Sequence, residues 1–328
     1  MMAKESILVT GGAGYIGSHA CEALHRAGFH PVTFDNLSTG HAESVRWGPL
    51  EVGDITDRRR LDEVLEKYEP ACIMHFAASS YVGESVLDPA KYYRNNVLGT
   101  LCLLESAVSH KVPHFVLSSS CATYGIPANP KVHEDTEQKP ISPYGFSKLV
   151  CEKMVVDFGR AYGLSAVLLR YFNAAGAHPT AGIGESHDPE THLIPLVLDT
   201  AAGVQSAIKV FGVDYDTPDG SCIRDYVHVC DLADAHVLAT EYLFSGGATD
   251  AFNLGNQRGY SVLEVIEAAR RVTGCEIPAT VFARREGDPA ALYADASKAA
   301  GVLGWTPRYP GIESIVEHAW AWHQNKTY

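Results

Sequence analysis

Short apolar runs alternate with longer mixed stretches along the first half of the chain. Ser6–Thr10, His30–Asp35, Leu50–Asp54, Ala71–Ala77, His114–Ser118 and Ala166–Phe172 are near-continuous apolar segments of strand length. Between them, Tyr15–Ala27 (stopped by Gly28), residues 88–110 and Pro143–Tyr162 have helical composition. Strands that are apolar throughout and separated by helices predict a parallel sheet covered on both faces. After Asn173 the pattern loosens, and Ala174–Glu190, rich in Gly, Ala, Pro and His, reads as loop. Ala251–Gly255 has strand character and is expected to return to the sheet.

The 328 residues exceed the commonest single-domain size, so two lobes are expected. Hydrophobic residues at 46% and charged residues at 20% give an ordinary globular balance. A net charge of −13 argues against nucleic acid or an anionic membrane as partner. It does not argue against a phosphorylated ligand, because helix ends and single arginines capture phosphate locally. No stretch approaches the roughly 20 apolar residues of a membrane span. Met1–Glu5 carries no signal-peptide pattern, so a cytoplasmic location is expected. The eight cysteines are scattered without a Cys-x-x-Cys pair and read as reduced thiols; the fifteen histidines show no metal-ligand spacing, so no metal is expected.

Candidate chemistry lies at three places. Gly11, Gly14 and Gly17 follow the first strand and open the first helix, the context in which glycines let a dinucleotide pyrophosphate approach a helix N-terminus. Asp35 ends the second strand 18 residues after Gly17, where a carboxylate accepts ribose hydroxyls and repels a 2′-phosphate. NAD is therefore favoured over NADP, and Asn36 in place of an arginine agrees. The expected architecture is α/β, with a Rossmann-type doubly wound sheet over residues 1–175. A segment near 225–255 rejoins it, and a smaller C-terminal α/β lobe for substrate spans 176–328. Ser142-Pro143 forms a helix start, which puts Tyr144 in the first turn and Lys148 one turn on. A nearby ammonium and the positive helix end would favour the Tyr144 phenolate, making it a base, and Ser120 ends a strand at the same sheet edge. A lone Tyr-x-x-x-Lys is an ordinary exposed pair; the three features together point to hydride and proton transfer.

With these residues the chain resembles the extended short-chain dehydrogenase/reductase family, and within it the UDP-galactose (UDP-glucose) 4-epimerases. The resemblance runs almost end to end through Val9–Gly17, Phe34–Ser38, His75–Ala77, Val82–Ser85, Asn95-Asn96, Ser118–Ser120 and Ser142–Gly145. It continues through Leu169–Asn173, Arg224–His228, Asp231–Ala233 and Arg284–Asp288. It implies a base that takes the sugar O4 proton while hydride passes from C4 to NAD. The 4-keto sugar then turns and receives hydride on its other face. By the same resemblance Tyr144 is the base, Lys148 binds the nicotinamide ribose and tunes it, and Ser120 aids proton transfer. Gly11, Gly14, Tyr15, Ile16, Gly17, Asp35, Asn36, Asp54, Ile55, Phe76, Asn95 and Phe172 match cofactor positions. Asn173, Leu193, Phe211, Arg224, Arg285 and Asp288 match UDP-sugar positions, and the two guanidinium groups suit a diphosphate.

Two other classes are weighed. Related NDP-sugar 4,6-dehydratases need a carboxylate pair after the serine, whereas Cys121-Ala122-Thr123 supplies none; Cys121 reads as a small buried residue. A non-catalytic NAD-binding regulator would have no need of both Tyr144 and Lys148. Ser80 stands where some epimerases carry a cofactor-contacting lysine. Some also place a tyrosine near Ala291 or Leu292, with Tyr293 just beyond, so UDP-N-acetylglucosamine stays open as substrate, as do UDP-xylose and UDP-arabinose. Leu101, Leu103, Leu104, Leu149, Val150, Met154 and Val155 make two apolar helices that read as core, and the resemblance implies that parts of both form a homodimer contact.

Overall fold

A computed structural model describes residues 5–285 and 287–328. Met1–Lys4, from the leading segment, and Glu286, within the Arg284–Asp288 motif, lie outside the described residues. Seven parallel strands form the central sheet: β1 (Ser6–Thr10), β2 (His30–Asp35), β3 (Leu50–Val52), β4 (Cys72–His75), β5 (His114–Ser120), β6 (Ser165–Tyr171) and β7 (Asp250–Leu254). Their order is β7-β6-β5-β4-β1-β2-β3. The order reverses between β1 and β4, and open α/β sheets bind ligands at such a switch point.

Helices α1 (Tyr15–Arg26), α2 (Arg58–Tyr68), α3 (Gly99–Ser109) and α4 (Pro143–Tyr162) cross over between the sheet strands. Beyond β6 come α5 (Leu193–Ala201), α6 (Val229–Phe244), α7 (Val262–Thr273) and α8 (Ile312–Gln324). Strict alternation along the strands fills two cores. Ile7, Val9, Cys72, Met74, Val116, Val167 and Leu169 face one side with α1 and α6. Leu8, Ile73, Phe115, Leu117, Ala166 and Leu168 face the other with α2, α3 and α4. The near-continuous apolar runs arise because both faces are covered.

A third core joins Ile194, Val197 and Leu198 of α5 to Ile208, Val210, Val265, Ile266, Ile315 and Val316. The expected loop after Asn173 begins with a short strand, Asn173–Ala175, which pairs with Tyr226–His228. The helical stretch near 88–110 is broken into Pro89–Tyr92, a π-turn over Tyr93–Leu98, and α3. Of the apolar residues on the two candidate dimer helices, Leu103, Leu104 and Val155 are fully buried against the sheet. No helix among the described residues is long and apolar enough to cross a membrane. All eight cysteines are free thiols.

Candidate active site

The turn after β1 is shaped by contact. Gly11 has φ +74°, and a Cβ there would stand 2.6 Å from the Ala77 backbone nitrogen. A Cβ on Gly17 would stand 2.1 Å from the Gly11 carbonyl oxygen. Only glycine permits this closeness. Gly14 is the N-cap of α1, and no side chain caps that end. The first-turn N–H groups of Tyr15, Ile16 and Gly17 thus keep the positive end of α1 open to an anion. A cradle that a side chain would fill and an uncapped helix N-terminus fit a dinucleotide pyrophosphate.

Asp35 stands beside this turn. It accepts N–H from Ala13 (3.0 Å) and Leu37 (2.8 Å), and burial raises its pKa. Asn36 donates to Asp54 (2.8 Å), which also accepts from the Thr56 N–H and hydroxyl. Ile55 is buried in the adjoining core, and Phe76 lies 4.6 Å from the His236 ring. Asn95 donates to the Ser79 hydroxyl (3.3 Å). Ser80 is exposed.

The catalytic candidates converge at the C-terminal end of β5. Ser142 caps α4 by accepting the Gly145 N–H (3.1 Å), with Pro143 in the first turn, so Tyr144 and Lys148 take the expected helical positions. The electrostatics differ from the expectation. Lys148 is buried, and its Nζ donates to the Ser118 carbonyl (2.9 Å). Burial lowers its pKa. Burial also pushes Tyr144 up to about 12, with the neighbouring Ser120 hydroxyl working in the opposite direction. In this state Tyr144 is a neutral phenol and not a ready base, because desolvation outweighs every favourable contact. Cys121 is likewise raised, to about 12, by burial, which suits an inert thiol.

Substrate candidates meet in pairs. The Arg285 guanidinium lies 3.9 Å over the Phe211 ring centre. Arg224 Nη2 lies 3.4 Å from Asp288 Oδ1, and Arg224 Nη1 donates to the Pro289 carbonyl. Asn173 donates to the carbonyl of Asp225, the residue after Arg224. Leu193 opens α5. Phe172 shares a small cluster with Tyr124, Leu292 and Cys121. Leu292 is buried there, whereas Ala291 and Tyr293 are half-buried, as the strand's alternation requires.

These elements match known proteins along the whole length. The model of the NAD dependent epimerase/dehydratase family matches residues 7–255. The chain belongs to this family. The UDP-glucose 4-epimerase of Rhizobium meliloti is 53% identical over 325 residues, covering 99% of each chain. The crystal structure of UDP-glucose 4-epimerase from Brucella ovis in complex with NAD is 52% identical, with a TM-score of 0.95, covering 97% of this chain and 98% of that one. The Bifidobacterium longum UDP-glucose 4-epimerase in complex with NAD+ and UDP is 37% identical, with a TM-score of 0.92 over 97% of this chain and 98% of that chain.

Two networks in this family member escape residue-by-residue reading. Asn96 is buried; its side chain accepts from the Ser79 N–H (2.8 Å) and donates to the Ser79 carbonyl and the Ser147 hydroxyl (both 3.0 Å). It thereby ties the loop after β4 to α4. The sequence signal was its place in the Asn95-Asn96 pair of the resemblance, within a segment that forms a π-turn, a distortion frequent at functional sites. Behind Lys148, Glu152 receives Arg170 Nε (2.9 Å) and Nη2 (2.7 Å), the Ser119 hydroxyl (2.5 Å) and Gln138 (2.8 Å). Arg170 also donates to the Tyr124 hydroxyl (3.0 Å) and the Glu134 carbonyl (2.9 Å). This network fixes β5 immediately before Ser120.

Proposed function

We propose that the chain is an NAD-dependent UDP-glucose 4-epimerase, which interconverts UDP-glucose and UDP-galactose. The observation that carries this reading is the meeting of half-buried Tyr144 with buried Lys148 and Ser120 at the sheet edge beside the α1 cradle. Near-full-length identity of about half to UDP-glucose 4-epimerases supports it. Bound NAD supplies a hydride acceptor for sugar C4 and a positive charge near the phenol.

Tyr144 holds the O4 proton as base and returns it as acid; Ser120 orients the same hydroxyl. Lys148 positions the cofactor ribose and favours the phenolate. Gly11, Gly14, Tyr15, Ile16 and Gly17 receive the pyrophosphate, and Asp35 with Asn36 receives the adenine ribose. Asp54, Ile55, Phe76, Asn95 and Phe172 complete the cofactor wall. Arg224 and Arg285 clamp the UDP diphosphate, with Asn173, Leu193, Phe211 and Asp288 around it. We assign residues 1–175 and a segment near 225–255 to a cofactor lobe, and the remainder of 176–328 to a UDP-sugar lobe. The test is a UDP-sugar panel offered to purified protein without added NAD, with products identified by NMR. Epimers are expected. A 4-keto-6-deoxy product, or dependence on stoichiometric NAD, overturns the reading.

The sugar's range turns on Leu292, which shares the Phe172 cluster. Its aliphatic side chain leaves more room than a tyrosine for a 2-N-acetyl group, so turnover of UDP-N-acetylglucosamine is expected beside UDP-glucose. Leu292→Tyr should lower the former by about 10–100-fold relative to the latter, the discrimination a steric clash in a pocket gives. No turnover of the acetylated sugar by the parent protein counts against this.

We also assign a cytoplasmic homodimer. Eight free thiols fit a reducing compartment. Tyr93, Leu98 and Phe146 remain 41%, 46% and 47% exposed near the two candidate helices, and Tyr93 and Phe146 stand edge to face. Isolated large apolar side chains are ordinary, but a cluster favours a partner surface. Sedimentation at micromolar concentration should give a dimer, and Phe146→Glu should shift it to monomer; a monomeric parent refutes the assignment.

A further inference from the structure

The segment between Ala175 and α5 reads in sequence as a Gly- and His-rich loop with no metal spacing. Its fold brings four side chains to one point. Single donor atoms of Glu185, His187, Glu190 and His192 all lie within 4.8 Å of one another. His192 Nδ1 lies 2.8 Å from both Glu185 Oε1 and Glu190 Oε1. His187 Nδ1 lies 3.3 Å from Glu185 Oε1 and 3.5 Å from Glu190 Oε2.

A second observation is independent of this clustering. His187 Nδ1 is buried and makes no hydrogen bond, although two carboxylate oxygens are close. It is near enough for a common ligand and out of line for a proton. Buried polar atoms are seldom left so, and a bound ion is one of the few reasons. We propose that Glu185, His187, Glu190 and His192 bind one divalent transition-metal ion, zinc by their donor chemistry, as a closed structural site.

The dimensions agree. Zinc bonds imidazole nitrogen and carboxylate oxygen at about 2.0–2.2 Å, which sets tetrahedral donor–donor edges of about 3.4 Å. The donor separations of 2.8 to 4.8 Å bracket that edge. Two imidazoles and two carboxylates suit a borderline nitrogen-and-oxygen cation, and two carboxylates neutralise its charge. The set is also oriented. Thr191 and His192 N–H groups donate to Glu190 Oε1 at 2.7 and 2.8 Å, and Trp322 Nε1 donates to the Glu185 carbonyl at 2.8 Å.

Four protein ligands leave no open position, so the ion's part is to hold structure and not to activate a substrate. It joins this segment to the start of α5, since His192 stands at the N-cap position immediately before Leu193. Tyr15 and Tyr81 stand edge-on to His187 at 6.3 and 6.0 Å, so the same point also touches the cofactor side.

The test uses full-length protein bearing no histidine tag. It is stripped with EDTA, exposed to zinc chloride, desalted and assayed by elemental mass spectrometry. One zinc per chain is expected, with a rise in melting temperature. Cobalt(II) in its place should give the intense visible absorption of tetrahedral coordination. Glu190→Gln, which keeps the side-chain shape, should weaken zinc binding by at least about 10–100-fold, the range that even loss of a supporting partner produces. Failure of the parent to retain zinc overturns the proposal, whatever the variants do. Equal retention by Glu190→Gln and by His187→Ala also overturns it, as do octahedral cobalt spectra.

Discussion

Tyr144→Phe is expected to lower kcat on UDP-galactose by at least about 10²–10⁴-fold while the protein still purifies with NAD bound. The change removes one oxygen from a half-buried side chain and leaves the α4 cap at Ser142 untouched. Burial holds the Tyr144 phenol at about 12. A phenol with that pKa is ionised in roughly one molecule in 10⁵ at pH 7, and bringing it to neutrality takes about 7 kcal/mol of added stabilisation. Lys148 and a bound cationic ring are the available sources. The phenolate is the reactive form, so activity rises with pH until Tyr144 is ionised. Lys148→Met withdraws one cation and raises that pKa, and the acid limb of the kcat profile should move to higher pH. Unchanged turnover in Tyr144→Phe, measured with cofactor content verified by absorbance, would remove Tyr144 from the reaction.

The largest effect on stability is expected at Arg170. Its guanidinium and the Glu152 carboxylate are both nearly inaccessible and meet through two hydrogen bonds. Arg170→Met leaves Glu152 charged and buried with its chief partner gone, at a cost of about 3–5 kcal/mol. A fall in melting temperature on the order of 10 °C should follow. Glu152→Leu combined with Arg170→Met should recover part of the loss, because a well-filled apolar pair replaces the buried ions. Calorimetry of these two variants and of Glu152→Leu alone checks this, and additive losses would show that the two residues do not act together. Glu152 also receives the Ser119 hydroxyl, so activity should fall in the single variant beyond what unfolding explains.

Much of this molecule is written locally. The β1–α1 turn, the Ser142 cap and the apolar strand runs are short-range patterns. Tight turns need glycine, helices start on cap residues, and a strand covered on both faces is apolar throughout. Hence β1, β2, α1 and α4 fall within a residue of their expected bounds. Segments whose partners lie far away are less legible. The pairing of Asn173–Ala175 with Tyr226–His228 joins residues about fifty positions apart, and nothing in either triplet announces the other.

The sequence by itself determined the strands, the glycine turn and the helical positions of Tyr144 and Lys148, because each depends on neighbours within a few residues. Tertiary structure decided their electrostatics and their supports. Only the fold shows that Lys148 turns to the Ser118 carbonyl and that burial outweighs charge at Tyr144. Only the fold places Arg170 on Glu152, and Asn96 between Ser79 and Ser147. The four donors between Glu185 and His192 are close in sequence, yet their spacing matches no helix or strand period. A turning backbone alone could bring them together. Burial and long-range contact are properties of the folded whole, and local composition carries no record of them.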